Sequence, residues 1–242
     1  MTQSPHAWPS VGHPRRRVGD VERAAAASTG ADGVRPLDGA TFAVLDVETS
    51  GLSPKRDRVL QVAVVAARAD GTVVESWSSY VRPRSFPFVR LGPRHVHGIR
   101  RRDLRHAPRP ADVLAELDRR LDGRVLTAHG IGFDVAFLRS EAQRAGQRFS
   151  PRAQVCTLTI ARRLDPGNTH SHRLGDLCAR YAIPLDNAHD ALADATATAA
   201  LLPHLIAATG ATTVGELEEL SRRSGRAPGA PCAPPGHATA AG

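Results

Sequence analysis

Apolar residues along the chain fall into four short runs of strand character and five stretches with helical spacing. Phe42–Val47 (FAVLDV) is a brief apolar run that ends in polar residues, as buried strands do. Arg58–Ala67 (RVLQVAVVAA) is a second strand, and the alternation in Thr72–Val81 (TVVESWSSYV) predicts a third. The Asp70-Gly71 pair between the last two marks a hairpin turn. Val113, Leu114, Leu117 and Leu121 predict a helix over Ala111–Leu121, stopped by Gly123. Arg124–Ala128 (RVLTA) reads as a fourth strand, followed by a helix over Phe133–Ala145 that Gly146 closes. Helices are also predicted over Thr157–Leu164, Arg173–Tyr181 and the Ala/Leu-rich Asp190–Ala208. A hairpin followed by alternating strands and helices predicts an α/β domain, a mixed sheet flanked by helices.

Outside that pattern, residues 1–38 mix Pro, Gly, Ser and Arg with an Ala run and no sustained apolar period, which predicts a disordered leader. Residues 209–242 read as a short helix and a disordered Pro/Gly/Ala-rich tail, leaving 39–208 as the folded domain. At 41% hydrophobic residues, the 242-residue chain can build a real core. No stretch reads as the roughly 18–20 apolar residues of a membrane span, and no secretory signal is visible, so no membrane association is expected. Cys156, Cys178 and Cys232 are odd in number and lack C-x-x-C spacing. That argues against a disulfide scaffold or zinc ribbon and for a reducing, cytoplasmic setting.

Charge changes the picture. The formal net charge is +8, and Arg82–Arg109 alone holds nine arginines against one acid, Asp103. The whole excess therefore sits in one window, and a local cationic field of that size suits a polyanion, with nucleic acid or nucleotides as partners.

The acids occupy three telling places. Asp46 and Glu48 lie two apart at the end of the first strand, so their carboxylates share a face where an α/β sheet opens into its ligand crevice. Like charges held side by side repel unless a cation separates them, and hard oxygen ligands select Mg²⁺ or Mn²⁺. A D-x-E triplet alone is common. Asp134 follows the fourth strand and an Ala128-His129-Gly130 turn, where a helix cap would also explain it. His189 and Asp194 would fall on different faces of one helix. They make sense as a pair only if His189 lies in the preceding loop, with Asp190 as N-cap and Asp194 in the first turns.

Taken in order, DVETSGL (Asp46–Leu52), VHGI (Val96–Ile99), AHGIGFDVAFL (Ala128–Leu138), CTLTIAR (Cys156–Arg162) and HDALADATATAALL (His189–Leu202) carry a specific likeness. From about Thr41 to Leu205 the chain resembles the DEDDh (DnaQ-like) 3′–5′ exonucleases, the family of the proofreading subunit of bacterial DNA polymerase III. The resemblance implies an RNase H-like five-stranded mixed sheet. It also implies four metal-binding acids, Asp46, Glu48, Asp134 and Asp194, with His189 as general base. Phosphodiester hydrolysis by two Mg²⁺ or Mn²⁺ ions about 3.5–4 Å apart fits four carboxylates, and an imidazole of ordinary pKa about 6.5 can take a water's proton near neutrality.

For the substrate, the family motif implies that Thr49, Gly51 and Leu52 line the terminal nucleotide, with Gly51 allowing close backbone approach and Leu52 packing on a base. His97 reads either as a sugar or phosphate contact or as a turn histidine. Arg100, Arg101 and Arg102 are expected to bind phosphates, and His129 to be structural. The chain departs from its relatives at Gly130, where they usually carry Asn. Three activities remain open at this level. The leading one is a metal-dependent exonuclease releasing nucleoside monophosphates from single-stranded DNA 3′ ends, in proofreading or repair, with a DNA polymerase subunit as an implied partner. The others are an RNA-trimming 3′–5′ exoribonuclease and a catalytically silent polymerase-associated module.

Overall fold

The continuous apolar run of the second strand needs burial on both faces, and the computed structural model, which describes residues 34–222, places it inside a five-stranded sheet. The strands are β1 (Thr41–Thr49), β2 (Val59–Arg68), β3 (Val73–Tyr80), β4 (Val125–Ala128) and β5 (Gln154–Cys156). The helices are α1 (Arg94–His97), α2 (Arg101–Leu104), α3 (Pro110–Leu121), α4 (Gly132–Ala145), α5 (Thr157–Leu164), α6 (Leu174–Arg180), α7 (Ala191–Thr209) and α8 (Val214–Ser221). Spatial order is β3-β2-β1-β4-β5. β2 runs antiparallel to both β1 and β3, while β1, β4 and β5 are parallel. The sheet is therefore mixed, as the hairpin-then-alternation pattern predicts.

Period-2 alternation divides the core in two. Phe42 and Val44 join Ala63, Val65, Leu201 and Leu202 on one face. Ala43, Leu45 and Val47 join Val62, Val64, Leu117 and Phe137 on the other. α7 covers β1 and β2 on the first face, and α3 and α4 lie on the second. The hairpin turn is closed by Arg68 N–H donating to Thr72 O at 2.9 Å, with Gly71 at φ +87°.

Three features depart from expectation. First, β5, α1 and α2 carry too few residues to show a period, and the pattern missed them. Second, the folded unit extends beyond 39–208. Val214 N–H donates to Arg35 O at 2.9 Å, Leu37 N–H to Thr212 O at 3.0 Å, and Leu37, Val214 and Leu217 lie in the α7-side core. Only residues 1–33 and 223–242 of the two expected tails lie outside the described residues. Third, Ala191–Thr209 is long and apolar enough to cross a membrane by length and composition, contrary to the sequence reading. In the fold its apolarity has another use. Ala195, Ala199, Leu202 and Leu205 are fully or almost fully buried against the sheet.

Candidate active site

β1 positions the first two acids. Asp46 and Glu48 continue the Phe42/Val44 face of the strand and so look toward α7. Parallel pairing of β1 with β4, Val44 beside Thr127, brings the end of β4 alongside them. The chain then turns at Gly130, whose φ of +94° suits glycine, and Phe133 N–H donates to Gly130 O at 2.9 Å. That turn delivers Asp134, 4% exposed, at the third residue of α4, where its carboxylate accepts from its own N–H and from Val47 N–H. From the opposite side, α7 begins with Asp190 as its N-cap. Asp190 Oδ1 accepts from Leu192 N–H and Ala193 N–H, both at 3.1 Å. His189 precedes the helix in a left-handed conformation, φ +69°, and its N–H donates to Asp194 Oδ2 at 3.2 Å. A ligand atom from each of Glu48, His189 and Asp194 lies within 4.8 Å of the other two.

Electrostatics mark this cluster as a site built around charge it does not itself neutralise. Burial first, then the charges of Asp194, Asp190 and Asp134, push Glu48 up to about 8. Burial raises Asp134 to about 8, against the hydrogen bonds it accepts. Asp46 is raised well above the carboxylate range by burial and by Asp134, Asp194, Glu48 and Asp190. Asp194 is raised by burial, and the nearby His189 offsets part of that shift. Among the described residues, no arginine or lysine contributes to the charges acting on these four acids. Asp194 Oδ1 is buried without a hydrogen-bond partner among the described residues. A hard divalent cation answers both the repulsion and the orphaned oxygen, so the donor set fits Mg²⁺ or Mn²⁺.

A raised carboxylate pKa means the folded state holds protons that the unfolded state has released, so stability is lost as pH rises toward the folded value. His129, lowered to about 4 by burial, acts in the opposite direction but only below the ordinary imidazole value of 6.5. Between about pH 6.5 and 8.5 the melting temperature in EDTA is therefore expected to fall as pH rises. Saturating Mg²⁺ or Mn²⁺ should remove that fall, because it favours the ionised carboxylates. Calorimetry across this window checks it, and a Tm that is flat in EDTA would mean the acids do not share one desolvated site.

The structure treats the expected substrate residues unequally. Leu52 is 54% exposed. Thr49 Oγ1 donates to Gly51 O at 2.6 Å. A Cβ at Gly51 would lie 2.5 Å from Asp57 Oδ2, so a larger residue there would displace the Asp57 carboxylate. His97 resolves to the turn alternative. It is buried, Ile99 N–H donates to its Nδ1 at 3.0 Å, and its Nε2 donates to Leu91 O at 2.8 Å, so neither ring nitrogen is left for a phosphate. Arg101 donates to Pro87 O, which makes it a tie between α2 and the preceding loop, and Arg102 lies 3.6 Å from Asp103. Arg100 is exposed. His129 is structural as expected, bonded to Thr157 Oγ1 and His172 O at 3.0 Å each.

Sequence reasoning missed Gln61. It pairs across from Glu48 in the β1–β2 ladder, is 5% exposed, and donates from Nε2 to Asp190 Oδ2 at 3.1 Å. It thereby holds the cap of the helix that carries Asp194. A single amide inside the run VLQVAVV was the available signal, because a buried polar residue needs a partner.

A mixed sheet thus carries Asp46 and Glu48 at the end of its central strand, with Asp134 and Asp194 acting on them as like charges and His189 grouped with Glu48 and Asp194. The exonuclease family model RNase_T matches residues 43–202, and the chain belongs to that family. It is 32% identical over 211 residues to the PolC-type DNA polymerase III of Lacticaseibacillus paracasei, covering 86% of this chain and 14% of that one. Against the PolC-type enzyme of Oceanobacillus iheyensis it is 34% identical over 166 residues, 69% of this chain and 11% of the relative. The chain thus spans about an eighth of these relatives. Among solved structures, E. coli Exonuclease I in complex with a dT13 oligonucleotide aligns at a TM-score of 0.62 and 23% identity, covering 71% of this chain and 42% of that one. Exonuclease X in complex with 5′ overhanging duplex DNA aligns at 0.59 and 24%, covering 76% of this chain and 99% of that one. At these identities the structural likeness concerns the fold.

Proposed function

We propose that the domain is a metal-dependent 3′–5′ exonuclease that releases nucleoside monophosphates from single-stranded DNA. One observation carries the reading: the partly buried Asp46 and Glu48 from β1 and Asp194 from α7, with the buried Asp134 from α4, act on one another as like charges, with His189 beside them and, among the described residues, no arginine or lysine acting on them. Asp46, Glu48, Asp134 and Asp194 would hold the cations. When bound, two such ions polarise the scissile phosphodiester and stabilise charge on its attacking and leaving oxygens. His189 takes the proton of the attacking water at a ring nitrogen. Its loop placement lets the imidazole reach the water while Asp194, mounted on α7 and accepting from His189 N–H, fixes where that loop lies.

DNA is favoured over RNA by the relatives, which are DNA polymerases and exonucleases solved with DNA. A DNA polymerase subunit is the partner to which the PolC likeness points, testable by co-purification. Buried free thiols at Cys156 and Cys178 accord with a reducing, cytoplasmic setting. The decisive experiment uses a 5′-labelled oligonucleotide of DNA or RNA with Mg²⁺ or Mn²⁺. A ladder that shortens while keeping the label, faster on DNA and abolished by EDTA, is expected. Undiminished digestion in excess EDTA would remove the metal mechanism, and immediate loss of the label as mononucleotide would reverse the polarity.

A further inference from the structure

We infer that a second, cationic cleft beside the catalytic centre binds the sugar-phosphate backbone of the substrate strand upstream of its terminal nucleotide; this rests on the exonuclease reading above. The cleft, about 420 Å³, lies between the β1–β2 connection and the loop over residues 85–92, and Arg56, Arg58, Arg90, Ser50, Ser85 and Val89 line it with Asp57. It begins two residues beyond Glu48. Gly92, φ +71°, lies so close to Ser50 that a Cβ would sit 2.3 Å from Ser50 O, so the two walls are joined at the edge of the site.

Charge in the cleft is available to an anion. The Asp57 carboxylate faces Gly51 and is engaged there, Oδ2 accepting from Ser53 N–H at 2.8 Å. Arg58 is partly anchored, Nη1 donating to Arg56 O at 2.9 Å and Asp57 O at 2.8 Å. Arg56 and Arg90 are exposed. Three guanidinium groups against one engaged carboxylate suit phosphodiesters, which arginine binds through parallel N–H donors. On the same loop Phe88 is 89% exposed, and Arg101 braces that loop by donating to Pro87 O. A basic groove with an exposed aromatic ring is the combination that holds single strands, because every base offers a face to stack upon.

The test reads binding without turnover. A fluorescein-labelled dT12 with phosphorothioate linkages at its 3′ end, in EDTA, is titrated with the full chain by anisotropy at several salt concentrations. Arg56→Ala combined with Arg90→Ala should weaken binding on the order of tenfold and lower the salt slope by about 1.4, since each phosphate contact on a single strand contributes about 0.7. Arg90→Glu should do at least as much, and Phe88→Ala should cost about fivefold or more. Arg119→Ala, at an exposed arginine on α3, should bind like the wild type. A dT2 too short to reach the cleft should bind the double variant and the wild type alike.

Wild-type affinity and slope in the double variant would overturn the proposal. So would an equal loss for dT2, which would move these arginines to the terminal nucleotide, or an equal loss in Arg119→Ala, which would reduce the effect to net charge. Lost binding of inorganic phosphate with dT12 unaffected would assign the cleft to free phosphate instead. A wild type that binds dT12 but hydrolyses neither DNA nor RNA in Mg²⁺ or Mn²⁺ would count against the exonuclease reading and leave this binding measurement intact.

Discussion

Asp194→Asn is expected to reduce turnover on the order of 10³-fold at every pH while raising the melting temperature of the metal-free protein. The two effects share one cause. Asp194 Oδ1 is buried with no partner among the described residues and Oδ2 accepts from His189 N–H, so the carboxylate is held where its charge is uncompensated. Asparagine keeps the shape and an acceptor for His189 N–H but removes a charge that raises Asp46 and Glu48. Relieving that repulsion stabilises the fold in EDTA, in the way functional sites commonly trade stability for chemistry. The same change removes a hard oxygen ligand, and the transition-state charge stabilisation at stake is several kcal/mol. Calorimetric Mn²⁺ titration, kcat and a melt in EDTA test it together. Wild-type kcat with unchanged Mn²⁺ affinity would exclude Asp194 from the metal site.

His189→Asn should fail differently. General-base contributions are typically about 10²–10⁴-fold, and kcat should fall within that range while Mg²⁺ and oligonucleotide affinities stay near wild type. Asparagine is the cleaner substitution because His189 sits at φ +69°, a region asparagine tolerates better than alanine. Since His189 is exposed, stability should change little. The rising limb of the wild-type pH–kcat profile should disappear in the variant. That limb must be read at saturating Mg²⁺, because without a cation Glu48 and Asp134 hold protons up to about 8 and would titrate in the same interval. If His189→Asn retains kcat and the limb under those conditions, the imidazole is not the base.

The chain's own pattern was enough to place the four longer strands and the helices α3 to α7, because burial on a sheet or beside one writes itself into local periodicity. The acids and the histidine stand out through the ordered motifs that carry the family resemblance. Asp190 as cap and His189 outside the helix were the condition for residues 189 and 194 to act as a pair, since five residues of helix turn through about 500° and put them on different faces; the structure meets that condition. What periodicity could not reveal were contacts between residues distant in sequence. β5 has three residues and exists because Leu126, Thr127 and Ala128 pair with it. Leu37 and α8 belong to the core because they close on each other across most of the chain.

The substrate side was decided in the same way. His97 is occupied by two backbone groups, Arg101 is drawn to Pro87 O, and the clearance at Gly51 is set by Asp57. Arginine counting located a basic window, Arg82–Arg109, but the cleft takes only Arg90 from it and draws Arg56 and Arg58 from the β1–β2 connection. Composition records how much charge a segment carries. Which guanidinium groups are engaged and which still face an open cleft depends on what the fold brings against them, and that is a property of the tertiary structure alone.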